Sequence, residues 1–142
     1  MQQDLEPLPP DLWFNRISVI ANGQLASTEN SLRHAFHLLQ LTPREYRPPD
    51  YWILDEEGYE RLLEDGQLEA AARRLVAAPT LSVTATSSDG EVEVALRCRA
   101  TKRTTFGKGD STASAILQAW AKCLLALQSQ IRAGGFNRAL EA

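Results

Sequence analysis

The sequence holds few of the residues that usually announce chemistry. Its 142 residues include two cysteines, Cys98 and Cys123, and two histidines. Two thiols cannot build a disulfide framework, and both fall on expected regular elements, so they read as buried reduced cysteines. His34 and His37 stand three apart on one expected helix, but a zinc site needs at least a third ligand and neither cysteine is near. No serine sits in a nucleophile turn, and no thiol or hydroxyl stands beside a base. The carboxylate runs Asp55-Glu56-Glu57 and Glu64-Asp65 are ordinary solvated acids, the first of them complementing the dipole of a helix start. Gly107 to Thr112 lacks the spacing of a phosphate-binding Walker loop. No catalytic residue, metal ligand or cofactor is therefore assigned.

Lysine is also scarce, three against twelve arginines. The formal charge of −3 and the pI of about 5.4 argue against a general binder of nucleic acid or membrane surfaces. No apolar run approaches the roughly 20 residues of a membrane span. Met1 to Pro10 is acidic and Pro-containing, unlike the basic and apolar regions of a secretory leader. It reads as a flexible lead-in, and the expected location is cytoplasmic. Residues 11–142 then form one domain by length, without internal repeats or low-complexity tracts.

The most informative stretch runs from Thr80 to Ile131. Leu81, Val83 and Ala85 alternate with Ser82, Thr84 and Thr86. Ser87-Ser88-Asp89-Gly90 has hairpin chemistry. Val92, Val94, Leu96 and Cys98 then alternate with Glu91, Glu93, Arg97 and Arg99, the pattern of an antiparallel strand wet on one face. A third strand is expected over Ala100–Phe106, with Phe106 as its core contact, followed by a Gly107-Lys108-Gly109-Asp110 turn. Ala113, Ile116, Leu117, Trp120, Leu124, Leu127 and Ile131 form the apolar stripe of a long helix over about 111–131. Asp110 or Ser111 caps it, and Gly134-Gly135 stops it. Ala115, Ala119, Cys123, Leu125 and Ala126 make its opposite side apolar too, so a second layer should lean on this helix.

The first half, 11–78, reads as mainly helical. Asp11 caps a segment with Trp13, Ile17 and Ile20 at helical spacing, although Asn22-Gly23 permits a hairpin instead. Ser27 or Thr28 opens a helix with Leu32, Ala35, Phe36 and Leu39 on its buried side. Asp55 opens another with Tyr59, Leu62 and Leu63 inward. Gly66 breaks it, and Leu68, Ala71, Ala72, Leu75 and Val76 continue to Pro79. The fold class is thus α+β: a three-stranded antiparallel meander over about 81–106, a long C-terminal helix covering it within 79–133, and helices in front.

From Asp55 onward the order helix, strand, strand, strand, helix resembles the double-stranded-RNA-binding domain. So does Gly107-Lys108-Gly109 before an Ala-rich last helix. The resemblance implies an RNA-binding fold. That family grips phosphates with lysines at the start of its last helix, where this chain has Ser111-Thr112-Ala113-Ser114-Ala115. The same helix, through Thr112-Ala113, Ala115-Ile116 and Ala119, is similar to the C-terminal helix of a small phage αβα-sandwich family, which implies a viral or mobile-element origin.

Two surfaces are candidates for binding. Arg97, Arg99, Lys102, Arg103 and Lys108 lie in a run without an acid and could meet phosphate or an acidic partner. Arg97 and Arg99 should share the wet face, with Glu91 and Glu93 as alternative mates for these cations. Tyr46, Arg47, Tyr51 and Trp52 gather around Pro48-Pro49 as a second interface. Nine acids between Glu45 and Glu69 oppose the basic run, an arrangement that suits head-to-tail self-association or a basic partner. The leading expectation is a non-enzymatic accessory or regulatory protein that binds another protein, in the manner of a phage inhibitor. Nucleic-acid binding through the basic strands is the alternative, and a small enzyme stands third.

Overall fold

The structure, a computed structural model, describes residues 8–22, 27–43, 55–77, 81–99 and 102–132, with side chains described as far as residue 126. The elements are α1 (Pro10–Ala21), α2 (Thr28–Gln40), α3 (Glu56–Glu64), α4 (Leu68–Leu75), β1 (Leu81–Ser88), β2 (Glu91–Cys98), β3 (Arg103–Gly109) and α5 (Thr112–Arg132). The three strands form one antiparallel sheet in the order β1-β2-β3, and α5 lies across β3 and β2. The expected α+β class and its C-terminal covering helix are thus present.

Local chemistry sets most boundaries. Ser27 accepts the Asn30 amide at 3.2 Å and caps α2, while Asp55 accepts the Gly58 amide at 3.1 Å and caps α3. Ser111, the second of the two expected candidates, accepts the Ser114 amide at 3.2 Å at the start of α5. Gly66 takes φ +72° between α3 and α4, a conformation that costs glycine little. The β1–β2 connection is a two-residue turn, with Asp89 at φ 53° and Gly90 at φ 79°, both positive as such a hairpin requires. The segment that could have been a hairpin at Asn22-Gly23 is the helix α1. It opens with Pro10 at its first turn, and Pro9 stands where Asp11 was expected. Leu8, within the expected lead-in, donates its amide to the Leu41 carbonyl at 3.0 Å.

The core is built in layers. α1 and α4 pack on α5 from the side away from the sheet, and α2 joins them, so α5 runs through the middle of the molecule. Trp13, Ile17, Leu32, Leu75, Ile116 and Ala119 are fully buried, and Trp120 is 2% exposed. Trp13 Nε1 donates to the Leu38 carbonyl at 2.8 Å, which satisfies its one polar atom inside the core.

Two readings of the sheet and its helix are corrected. The glycines at 107 and 109 are not a turn but part of β3, which extends to Gly109. Phe106 is not a core contact: it is 51% exposed. The register explains both. Cys98 pairs with Arg103 across the four-residue connection 99–102, so Thr105, Gly107 and Gly109 fall opposite Leu96, Val94 and Val92 on the helix side. Phe106 falls opposite Ala95 on the other side. The side of α5 that meets the sheet is the small-residue one. Ala115 and Ala119 stand against Gly107, and Thr105 Oγ1 donates to the Ala119 carbonyl at 2.8 Å. At 100° per residue the Ile116–Leu117–Trp120 stripe is turned roughly 130° round the helix from Ala115 and Ala119, away from the sheet.

Candidate functional site

The outer face of the sheet carries the exposed chemistry. Pairing lays its side chains out in rows across the three strands: Ser82, Arg97 and Thr104; then Thr84, Ala95 and Phe106; then Thr86, Glu93 and Lys108. All of these are exposed except Ala95, which is half-buried. A large ring therefore stands in the middle row beside the short side chain of Ala95. The Ala95 and Thr84 methyls extend that row as a shallow apolar strip. Arg97 is diagonal to the ring on one side. Glu93 is diagonal on the other and holds Lys108 Nζ at 3.5 Å. The strip is thus apolar in its middle, with charges at both rims.

The five expected basic residues do not form one surface. Arg97 and Lys108 lie on the outer face. Arg99 does not share it as a strand residue, because β2 ends at Cys98 and Arg99 lies exposed in the turn that follows. The reason is that the chain must leave the sheet there to reach β3 in four residues. Lys102 occupies that connection at φ 59°, exposed. Arg103 opens β3 on the helix-side row of Cys98. Arg99, Lys102 and Arg103 therefore crowd one end of the sheet, while Glu91 and Glu93 occupy the other end. The second expected surface, Tyr46, Arg47, Tyr51 and Trp52, lies outside the described residues.

Glu56, Glu57, Glu60 and Glu64 sit on α3, which packs on α2 and α4; Glu29 lies on α2 and Glu69 on α4. Several are engaged locally. Arg33 Nη2 meets Glu60 Oε1 at 2.6 Å and Glu29 Oε2 at 3.3 Å, Arg61 meets Glu57 at 3.2 Å, and Arg73 meets Glu69 at 3.1 Å. The hydrogen bonds from Arg33 hold the Glu60 carboxyl below its usual range, and Glu60 in turn raises the Arg33 guanidinium. A shallow depression on this helix is lined by Asp55, Glu56, Glu57, Glu60, Arg61 and Glu64. It is an open charged surface.

The remaining reactive side chains are inward. Cys98 and Cys123 are buried and unbridged. A hydrogen bond with Cys98, then burial, push the Cys123 thiol far above its ordinary range, which removes its nucleophilic thiolate. His34 is half-buried, with its pKa lowered first by burial, then by Arg16 and His37. Among the described residues no group of three His, Cys, Asp or Glu side chains could hold a metal ion. Among them, too, no helix is long and apolar enough to cross a membrane.

Comparison with protein-family models, with curated proteins and with solved structures returns no match.

What the sequence reading missed here is Phe106. Its hydrophobicity argued for the core. The signal that could have found it was the pair of glycines two residues apart, Gly107 and Gly109, which fit a strand face pressed against another backbone.

Proposed function

We propose that this chain is a small non-enzymatic accessory or regulatory protein that docks on another protein through the outer face of its sheet. One observation carries the reading: Phe106 stands 51% exposed in the middle row of a mostly polar sheet face. Exposing a phenyl ring to water costs folding free energy that burying it would recover, on the order of 2 kcal/mol. Buried aromatics anchored in a partner, with arginine beside them, are where interface energy concentrates. Arg97 supplies that neighbour, and Arg99, Lys102 and Arg103 bias the same end of the sheet toward an acidic region of the partner. A phage-derived inhibitor acting in the cytoplasm, where Cys98 and Cys123 stay reduced, is the setting we infer from the helix resemblance.

The second reading is single-stranded RNA stacked on Phe106 with Arg97 and Lys108 on its phosphates. The exposed aromatic favours it. The net charge of −3 and the acids Glu91 and Glu93 on the same face oppose it.

The test compares tagged wild-type protein with Phe106→Ala and Arg97→Ala in native-lysate capture, with binding to single-stranded and duplex RNA measured alongside. A stoichiometric protein partner lost in Phe106→Ala supports docking. An RNA complex that weakens steeply with salt and with Arg97→Ala transfers the function to the second reading. Partner capture that ignores both substitutions removes this face from consideration.

A further inference from the structure

Among the described residues, one edge of the sheet is finished and the other is left open. β3 is the finished edge. It lies under α5, Gln118 Oε1 accepts the Lys108 amide at 2.7 Å, and Gln118 Nε2 donates in turn to the Ala21 carbonyl at 3.4 Å. β3 also carries Arg103 and Lys108, and charged side chains of this kind discourage pairing with a foreign strand. β1 has neither device. Its eight residues, Leu-Ser-Val-Thr-Ala-Thr-Ser-Ser, contain no charge and no proline. Among the described residues β2 is its one pairing partner. About half of its amides and carbonyls therefore point away from the sheet, along an edge roughly 26 Å long.

Its side chains tell the same story. On the helix side Leu81 and Val83 are only half-buried and Ala85 is exposed, whereas Val94 is 0% and Leu96 1% exposed one strand away. α5 lies over β3 and β2, so the helix-side apolar row of β1 projects beyond the cover it provides.

We propose that β1 joins a second copy of this chain, antiparallel about a two-fold axis at Thr84, to make one six-stranded sheet. The absence of charge selects this partner. A two-fold contact sets a patch against itself. The acids of α3, or the cations at the β2–β3 end of the sheet, would repel their own images. β1 brings no like charges together. With the axis at Thr84, Val83 lies opposite the partner's Ala85 and Leu81 opposite the partner's Ser87. Residues of one parity stay on one face, so the two apolar rows become continuous on the helix side. Ser82, Thr84, Thr86 and Ser88 remain on the outer face with Phe106.

Sedimentation equilibrium over a concentration series tests this, with Ala85→Lys, Phe106→Ala and Thr84→Cys beside the wild type. The wild type should approach twice its 15.7 kDa chain mass. Ala85→Lys adds an inward-pointing charge at an exposed site and should stay monomeric with an unchanged circular dichroism spectrum. Thr84→Cys places two thiols across the axis, where facing Cβ atoms lie about 5 Å apart, and should cross-link under mild oxidation while the wild type, its cysteines buried, does not. Phe106→Ala should leave the mass unchanged, which separates this contact from partner docking on the outer face. A wild type that stays at 15.7 kDa throughout overturns the proposal. So does a dimer that survives Ala85→Lys or that Phe106→Ala dissolves.

Discussion

Gly107 of β3 stands directly against the backbone of Ala115 on α5. A Cβ added to it would lie 2.6 Å from the Ala119 nitrogen and 3.1 Å from the Ala115 carbonyl carbon. The glycine in the strand and the alanines on the helix together let two backbones approach, and the Thr105 hydroxyl spans the gap to the Ala119 carbonyl. This contact fixes which face of β3 is inside.

Gly107→Ala should therefore be among the most damaging single-methyl additions in the chain. Backbone cannot rotate away as a side chain can, so strand and helix must separate. The expected loss is about 3 kcal/mol, the upper end for overpacking, read as a lower urea midpoint at unchanged m-value. A loss under about 1 kcal/mol would show that α5 can shift at small cost.

Phe106 and Trp120 should respond oppositely to truncation. Trp120→Ala empties a site that is 2% exposed and should cost about 3–5 kcal/mol. Phe106→Ala should change folding stability by no more than about 0.5 kcal/mol, as surface substitutions do, while abolishing partner capture. Equal destabilisation by the two would mean that Phe106 is packed in solution.

Tyr59 offers a gain. It is 1% exposed and stacked on Phe36 at 4.7 Å and 20°, yet its hydroxyl has no hydrogen-bond partner among the described residues. Tyr59→Phe removes an unsatisfied buried group and should leave stability unchanged or raise it by about 1 kcal/mol. Burial also holds the Tyr59 phenol above the ordinary tyrosine range. In a spectrophotometric titration Tyr59 should resist ionisation until the protein unfolds. Destabilisation by Tyr59→Phe would reveal a partner for the hydroxyl.

Acid should weaken the fold in two steps. Burial, then Arg16 and His37, lower the His34 pKa below its ordinary 6.5. The unfolded chain then takes up that proton first, so the His34 contribution is complete above pH about 6.5 and declines as pH falls toward the folded-state value. Glu60 acts lower. The Arg33 hydrogen bonds depress it from an ordinary 4.5, so its contribution is present above that pH and is lost as pH falls through the depressed value. His34→Gln should flatten the upper step of a stability–pH curve and Glu60→Gln the lower. Persistence of the upper step in His34→Gln would assign it to another group.

The features decided by short-range chemistry were legible. The cap at Asp55, one of two candidate caps at each of Ser27 and Ser111, the break at Gly66, a hairpin within Ser87–Gly90, and the existence and depth of α5 all follow from side chains acting within a turn or two of themselves. Ser87 and Ser88 nonetheless belong to β1, and only Asp89-Gly90 form the turn. The cationic cluster was legible only as a run of letters. The end of β2 at Cys98 divided it between the outer face, a turn and the edge of β3.

By itself the sequence determined that three strands precede one long buried helix, because period-two and period-3.6 patterns are written residue by residue. It could not decide which way the third strand faces or which side of α5 meets the sheet, since both sides of that helix are apolar. Those were set by the four-residue connection at 99–102 and by the space that Gly107 leaves for Ala115. Tertiary contact overrode hydrophobicity there, turning Phe106 outward and giving the molecule its candidate surface.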